Sequence, residues 1–334
     1  MSEFSATIER LFASEVTPQQ VRAIEQGAPS DALWQTITDS GFTDALIPEA
    51  MGGAGLGLSD VFDVLAACGG HCLPVPLSLT MLARAALAEA RQELPDAAIT
   101  VTGVTLKQGG VLTCDRVPYA LSSGWVLIAL DGACALMPVE RAKTTPTGVH
   151  GSLEGNLQFD ASAVDAASFP FAFNWRAACA SLIAAQMTGA MDRVFADTVR
   201  FANERSQFGK SIGKFQAIQQ QISMMAEQVF AARMAAQIGC ASASYRPDAL
   251  LAAVAKARAS EAVISVTAVA HAVHGAMGIA EEYDLQLFTR RLHEWRLAFG
   301  SESYWNRKIG QSLLESQARG TVDFIRERMS PALN

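Results

Sequence analysis

The apolar positions along this chain change their spacing twice. Up to about Glu93 they recur at helical intervals, and Gly and Pro interrupt the pattern. Thr17-Pro18 reads as an N-cap followed by the first residue of a helix. A helix carrying Leu33 and Trp34 ends at Gly41-Phe42. A glycine-rich loop follows, Pro48-Glu49-Ala50-Met51-Gly52-Gly53-Ala54-Gly55-Leu56-Gly57. Ser59-Asp60 is expected to cap the next apolar helix near Val61, and Pro74 and Pro76 to stop it.

From Pro95 to about Phe169 the period shortens. Ile99-Thr100-Val101-Thr102-Gly103-Val104 alternates as a half-buried strand does. Short apolar runs follow at 111–114, 125–130, 133–137 and 157–159, separated by Gly109-Gly110, Asp131-Gly132 and Glu154-Gly155-Asn156. These predict a small antiparallel β unit of roughly five to six strands.

From about Asn174 the helical period returns and stays. Ile218, Ile222, Met225, Val229, Ala232 and Ala236 form a seam for another helix. Arg246-Pro247-Asp248 reads as a turn whose Asp caps a helix running through Ala252, Ala259 and Val266 to Gly275. The fold expected is mainly α: an N-terminal helical domain (1–94), a reduced middle β domain (95–169) and a C-terminal bundle of long, nearly antiparallel helices (170–334).

Composition narrows the function. Half of the 334 residues are apolar and 18% are charged, so some apolar surface is expected to lie between subunits. The net charge is −7 and no basic run appears, which argues against nucleic acid. No run reaches the ~18 apolar residues of a membrane span, and Met1-Ser2-Glu3-Phe4 lacks the layout of a signal peptide. The six scattered cysteines read as reduced, buried thiols, so a cytoplasmic location without a membrane span is expected. Cys68-Gly69-Gly70-His71-Cys72 lacks a second ligand pair, and His271 with His274 has no further partner, so no metal is expected.

The strongest local signal is Arg205-Ser206-Gln207-Phe208-Gly209-Lys210-Ser211-Ile212-Gly213-Lys214-Phe215-Gln216. It reads as a helix end, a glycine loop with exposed N–H groups, and a new helix, with Arg205 offering a fork of donors suited to phosphate. At every defining position it resembles the R-x-Q-F-G-x-x-I-x-x-F-Q signature of acyl-CoA dehydrogenases. Pro48-Glu49 with Gly52, Gly53 and Gly55 resembles that family's P-E-x-x-G-G-x-G loop. His274-Gly275-Ala276-Met277-Gly278-Ile279-Ala280-Glu281-Glu282-Tyr283-Asp284-Leu285, followed by Arg290-Arg291, resembles its H-G element, departing from it at Ile279 and Ala280.

The resemblance implies an oligomer that binds FAD and an acyl-CoA, and passes electrons to an acceptor protein. A glutamate in a dry pocket would take the α-proton while a hydride leaves for the flavin. By the same resemblance, Arg205 contacts the pyrophosphate, while Gln207, Phe208, Ile212, Phe215 and Gln216 border the adenosine. Val273, His274, Gly275 and Ala276 form the second wall.

Two departures stand out. The family's usual base position falls on Phe299, before Gly300-Ser301, and its alternative position falls on Cys179. Glu302 and Glu282 are the acids that remain as substitutes, each read first as structural or solvated. The β unit is also shorter than the resemblance implies and lacks a T-E-P-x-x-G-S-D-like loop. The chain therefore resembles the short, base-less subunit of mixed acyl-CoA dehydrogenases, of the kind used in fatty acid or sterol side-chain degradation. It would then pair with a longer homologue. A self-sufficient homo-oligomer with a displaced acid, and a flavin-free scaffold, are the alternatives.

Overall fold

The computed structural model describes residues 3–103 and 105–329. Met1 and Ser2, read above for a signal peptide, lie outside the described residues, as does Val104 at the end of the first alternating run.

The N-terminal helices are α1 (Glu3–Glu15), α2 (Pro18–Glu25), α3 (Asp31–Asp39), α4 (Leu58–Gly70) and α5 (Leu77–Glu89). Thr17 caps α2 as its sequence predicts, its hydroxyl accepting from the Gln20 N–H at 3.2 Å. The start of α4 differs from the expectation. The helix begins at Leu58 with Gly57 as N-cap, and Asp60 reaches back to accept the Gly57 N–H at 2.8 Å. The carboxylate expected to start the helix instead serves it from the first turn.

Two sheets follow, one of β1 (Ile99–Val101), β4 (Trp125–Ala129), β5 (Ala133–Pro138) and β8 (Ser168–Pro170), in the order β1-β4-β5-β8. The other holds β2 (Thr105–Gln108), β3 (Val111–Val117), β6 (Lys143–Pro146) and β7 (Gly155–Asp160), in the order β2-β3-β7-β6. A short α6 (Ala161–Ala166) links β7 to β8. This is more than the strand count expected, and β1 pairs with β4 in parallel while the other pairs are antiparallel. Of the alternating run at 99–104, residues 99–101 form β1, and β2 begins beyond it, at Thr105, in the other sheet. The strands missed, β2, β6 and β8, all lie at sheet edges, and the last two end in Pro146 and Pro170. Such positions need neither an apolar face nor a full set of N–H donors.

The bundle consists of α7 (Trp175–Glu204), the two-residue strands β9 (Ser206–Gln207) and β10 (Lys210–Ser211), then α8 (Gln216–Gly239) and α9 (Ala249–His274). It closes with α10 (Leu285–Leu297), α11 (Glu302–Glu315) and α12 (Thr321–Arg328). Asp248 caps α9 with bonds from the N–H groups of Leu250 and Leu251. Met225, Val229, Ala232 and Ala236 of the predicted seam are buried in α8, whereas Ile218 and Ile222 are only partly covered. By length and composition α9, extended to Ile279, could cross a membrane, contrary to the expectation that no segment would. In this fold it packs against α7, α8, α10 and α11, and it carries Lys256, Arg258 and Glu261.

Three joints bind these parts. The helices α4 and α7 cross backbone to backbone: a Cβ on Gly69 would lie 1.7 Å from the Gln186 carbonyl oxygen, and one on Gly189 1.8 Å from that of Ala66. Only glycine permits that approach. Thr80 of α5 pairs with both backbone groups of Ile99 at the start of β1, at 2.9 and 3.0 Å. Glu25 of α2 accepts from Arg290 and Arg291 of α10 at 2.8 Å each, and Arg290 also donates to the His150 carbonyl. Arg291 and Glu25 are almost fully buried, so their pairing offsets a large desolvation cost.

Candidate functional site

The helix α7 ends because Arg205 leaves helical geometry at ψ 119°, its N–H still bonded to the Phe201 carbonyl at 2.8 Å. The chain turns at once into a hairpin, with Gln207 facing Lys210 and Ser206 facing Ser211. Phe208 and Gly209 form the two-residue tip with φ of 51° and 81°. Positive φ at both positions is what a tight hairpin turn demands, and glycine supplies it freely whereas phenylalanine does not. The Ile212 N–H closes the hairpin onto the Arg205 carbonyl at 2.8 Å. The loop read from sequence is therefore a rigid hairpin. Its tip holds Phe208 91% exposed, edge-on to Phe215, over which Lys210 also sits, 4.3 Å from the ring centre.

The facing wall is the C-terminal end of α9. His274 is buried and stacks on Phe201, with ring centres 4.3 Å apart. Its Nδ1 donates to the Ala270 carbonyl at 2.8 Å, which leaves Nε2 as a bare acceptor, buried and without a partner among the described residues. Burial, chiefly, lowers its pKa, so the ring is neutral near pH 7. At Gly275 the backbone takes φ 57° and ψ −139° and breaks the helix.

Between these walls lies an open cleft of about 480 Å³. It brings together Arg205, Gln207, Phe208, Ile212 and Phe215 from the hairpin side with Val273, His274, Gly275 and Ala276 from α9 and its turn. Gln216 does not join them; it is the exposed first residue of α8 and lies off the lining. Phe201, Ile218, Ala272 and Met277 also line the cleft and were missed. Phe201 could have been read from its place one helical turn before Arg205, and Ile218 from its helical spacing after Phe215. Among the described residues the Arg205 guanidinium has no hydrogen-bond or ion-pair partner, although it lines a cleft with apolar walls.

The candidate base positions lie elsewhere. Phe299 is 6% exposed with φ 55°, and its ring is packed against Gly103 after β1. Cys179 is fully buried in α7, and desolvation drives its thiol far above the usual range, so it keeps its proton. Glu302 is bonded to Arg296, at 3.1 Å from its Nε. Burial works to raise the Glu302 pKa, but the Arg296 hydrogen bond and the nearby positive charges bring it below its ordinary value, a carboxylate held ionised. Glu282 is exposed in the turn before α10.

One carboxyl not anticipated is Glu154, immediately before β7. Burial first, and the charge of Glu294 second, lift it to about 7 against the pull of Arg116, which pairs with it at 2.8 Å. It lies away from the cleft, in the same ionic neighbourhood as Arg291. The glycines at 52–57 are also away from it. The Leu58 and Ser59 N–H groups donate to the carbonyls of Ser244 and Ser242, so that loop is a joint against the turn between α8 and α9. All six cysteines are free and buried, and among the described residues no cluster suited to a metal occurs.

Comparison with known proteins agrees over nearly the whole chain. Residues 2–93 match the family model for the acyl-CoA dehydrogenase N-terminal domain, and residues 179–314 that for the acyl-CoA dehydrogenase C-terminal domain. The chain is 31% identical over 304 residues to acyl-CoA dehydrogenase IpdE2 of Mycolicibacterium smegmatis, covering 86% of this chain and 90% of that protein. The IpdE2 of Mycobacterium tuberculosis is likewise 31% identical, over 306 residues. Among solved structures, the ChsE4-ChsE5 complex from Mycobacterium tuberculosis aligns with a TM-score of 0.80 at 22% identity, covering 95% of this chain and 99% of that one. Butyryl-CoA dehydrogenase from Megasphaera elsdenii aligns with a TM-score of 0.75 at 18% identity, covering 94% and 99%. These structural likenesses establish the fold.

Proposed function

The chain belongs to the acyl-CoA dehydrogenase family of FAD-dependent oxidoreductases, and from that premise we propose that it is the non-base subunit of a mixed oligomer. It supplies the adenosine and pyrophosphate half of an FAD site whose ring half, catalytic base and acyl pocket belong to a longer homologous partner. The residues suit that role. Arg205 offers paired donors to a diphosphate, and the neutral His274 Nε2 offers an acceptor of the kind an adenosine's amino or hydroxyl groups seek. Phe201, Phe208, Ile212 and Val273 supply apolar surface for a flat purine. When bound, the flavin accepts the hydride from the acyl-CoA; this chain's residues bind and orient its far end.

One observation carries the reading. The cofactor-side motifs converge on a single open cleft with an unpartnered guanidinium, while the two base positions hold a buried phenyl ring and a protonated thiol. The ChsE4-ChsE5 complex, named for two chains, is a precedent for mixed assembly on this fold. Steroid chemistry enters through a second aligned structure, the Tcur3481-Tcur3483 steroid ACAD, with a TM-score of 0.79. A steroid or other bulky acyl-CoA is the substrate class proposed for the assembled enzyme. The divisions near residues 94 and 169 remain our working domain limits.

The test is the visible spectrum of the purified protein. The chain alone should be colourless, and the chain co-expressed with a longer homologue should be yellow and bleach on adding acyl-CoA. Flavin that bleaches in the chain alone would replace this reading with a self-sufficient enzyme, and flavin in neither preparation would leave a scaffold.

A further inference from the structure

Lys256 lies in the middle of α9 and is fully buried. A buried ammonium is costly unless each N–H finds an acceptor. Here it has three: the Ser260 hydroxyl at 3.0 Å and the carbonyls of Arg296 and Gly300, both at 2.9 Å. Those two carbonyls stand on either side of Phe299 in the chain. The first belongs to the last turn of α10, where the helix leaves carbonyls without internal partners and carries partial negative charge. Between them the backbone takes two successive left-handed steps, with φ of 55° at Phe299 and 113° at Gly300.

Left-handed backbone is uncommon at a phenylalanine, and unlike Phe208 at its exposed hairpin tip, Phe299 is buried. On one side the Phe299 ring faces Gly103 of the β unit, where an added Cβ would lie 3.5 Å from it. The other is fixed by α11, where a Cβ on Gly300 would come within 2.9 Å of the Trp305 indole nitrogen. The turn thus has neighbours on both faces, and Lys256 donates to the carbonyls at its two ends.

We infer that Lys256 is a positioning residue: its ammonium draws the carbonyls of Arg296 and Gly300 to one point and so holds Phe299 closed against Gly103. This deepens the proposed non-base role and rests on it only for its consequence, that a ring, tied in place, fills the position where an acid would be needed. The tie itself is a property of this chain.

Two measurements on the full-length chain test it, and neither uses flavin. The first is amide hydrogen exchange of Lys256→Met, which keeps the apolar stem and removes the donors. Exchange across residues 297–301 should quicken at least tenfold, while the hairpin at 206–211 and most of α8 keep their wild-type rates. The second is thiol labelling of a Phe299→Cys variant by a soluble disulfide reagent, the six native thiols being buried. Labelling should be slow with Lys256 present and at least tenfold faster once Lys256→Met is added to the same variant. Wild-type rates in either assay, or a uniform acceleration across the whole bundle, would overturn the assignment. Should Lys256→Met fail to fold, Ser260→Ala removes one of the three acceptors and should quicken exchange at 297–301 severalfold; no change there would also overturn it. The flavin spectrum of the co-expressed pair can fail while these results hold, and the reverse, so the two ideas are separable.

Discussion

Two regions touched by the same helix have opposite character. At its C-terminal end α9 walls an open cleft, with Arg205 unpartnered and the His274 Nε2 unsatisfied. Eighteen residues earlier, about 27 Å away at 1.5 Å per residue, it passes beneath the Phe299 turn, where each donor of Lys256 has an acceptor and the aromatic ring is sealed. Arg205 is exposed and free to meet a ligand, whereas the His274 Nε2 is a buried polar atom of the kind proteins rarely leave unpaired without reason. The contrast teaches where this chain retains capacity to bind and where it has given that capacity to packing.

The largest effect should come from opening the sealed region. Phe299→Ala removes a buried ring beside Gly103 and should cost about 3–5 kcal/mol of stability, read from urea denaturation; a loss below about 1 kcal/mol would mean the seam is loosely packed. Next comes Arg205→Ala. It should leave the chain's folding unchanged but lower flavin retention of the co-expressed pair by roughly tenfold to a hundredfold, the worth of a charge-assisted bond to phosphate. Full flavin content would remove Arg205 from the site.

The pH profile gives a smaller effect. Glu154 is lifted to about 7 in the folded chain from 4.5, so the folded state holds the extra proton and stability should fall as pH rises from 4.5 to 7. Lys256 is brought down to about 7 from 10.5, mainly by burial, so the unfolded state holds the extra proton and this group's own contribution should rise with pH above 7. Each contribution is read as a difference from wild type in melting temperature across a buffer series kept below pH 9, because the six buried thiols, all raised from 9.0 by burial, remove stability above it. Glu154→Gln should flatten the acid limb alone, and Lys256→Met the alkaline limb alone. Last, Glu302→Gln should leave turnover of the pair unchanged and stability within about 1 kcal/mol, since a partly exposed pair with Arg296 is worth little; a collapse of turnover would restore a displaced acid.

Sequence patterns carried much of this, though unevenly. The helices were legible because their caps are local: Thr17 and Asp248 do what their types predict within three residues. The cleft was legible because its residues fall in two contiguous segments, one on each wall. The departures have a physical pattern. The strands β2, β6 and β8 escaped because an edge strand needs no apolar face, and the parallel pairing of β1 depended on β4, which lies beyond two intervening strands of the other sheet. Lys256, Glu154 and the Phe299 turn were silent because their meaning lies in partners up to 140 residues distant, as Glu154 with Glu294 illustrates. No window on the chain contains both members of such a pair.

The close crossing of α4 and α7, with Gly69 against Gln186 and Gly189 against Ala66, bears on how this molecule could be dissected. With two main chains in touch there, the leading helices cannot be lifted off the bundle as a separate piece, whatever the order of residues implies. A fragment cut near position 94 would expose the groove that α7 occupies, and the remainder would lose the partner against which its longest helix lies. Expression of either half alone should yield insoluble material, and mixing the two halves should rescue both.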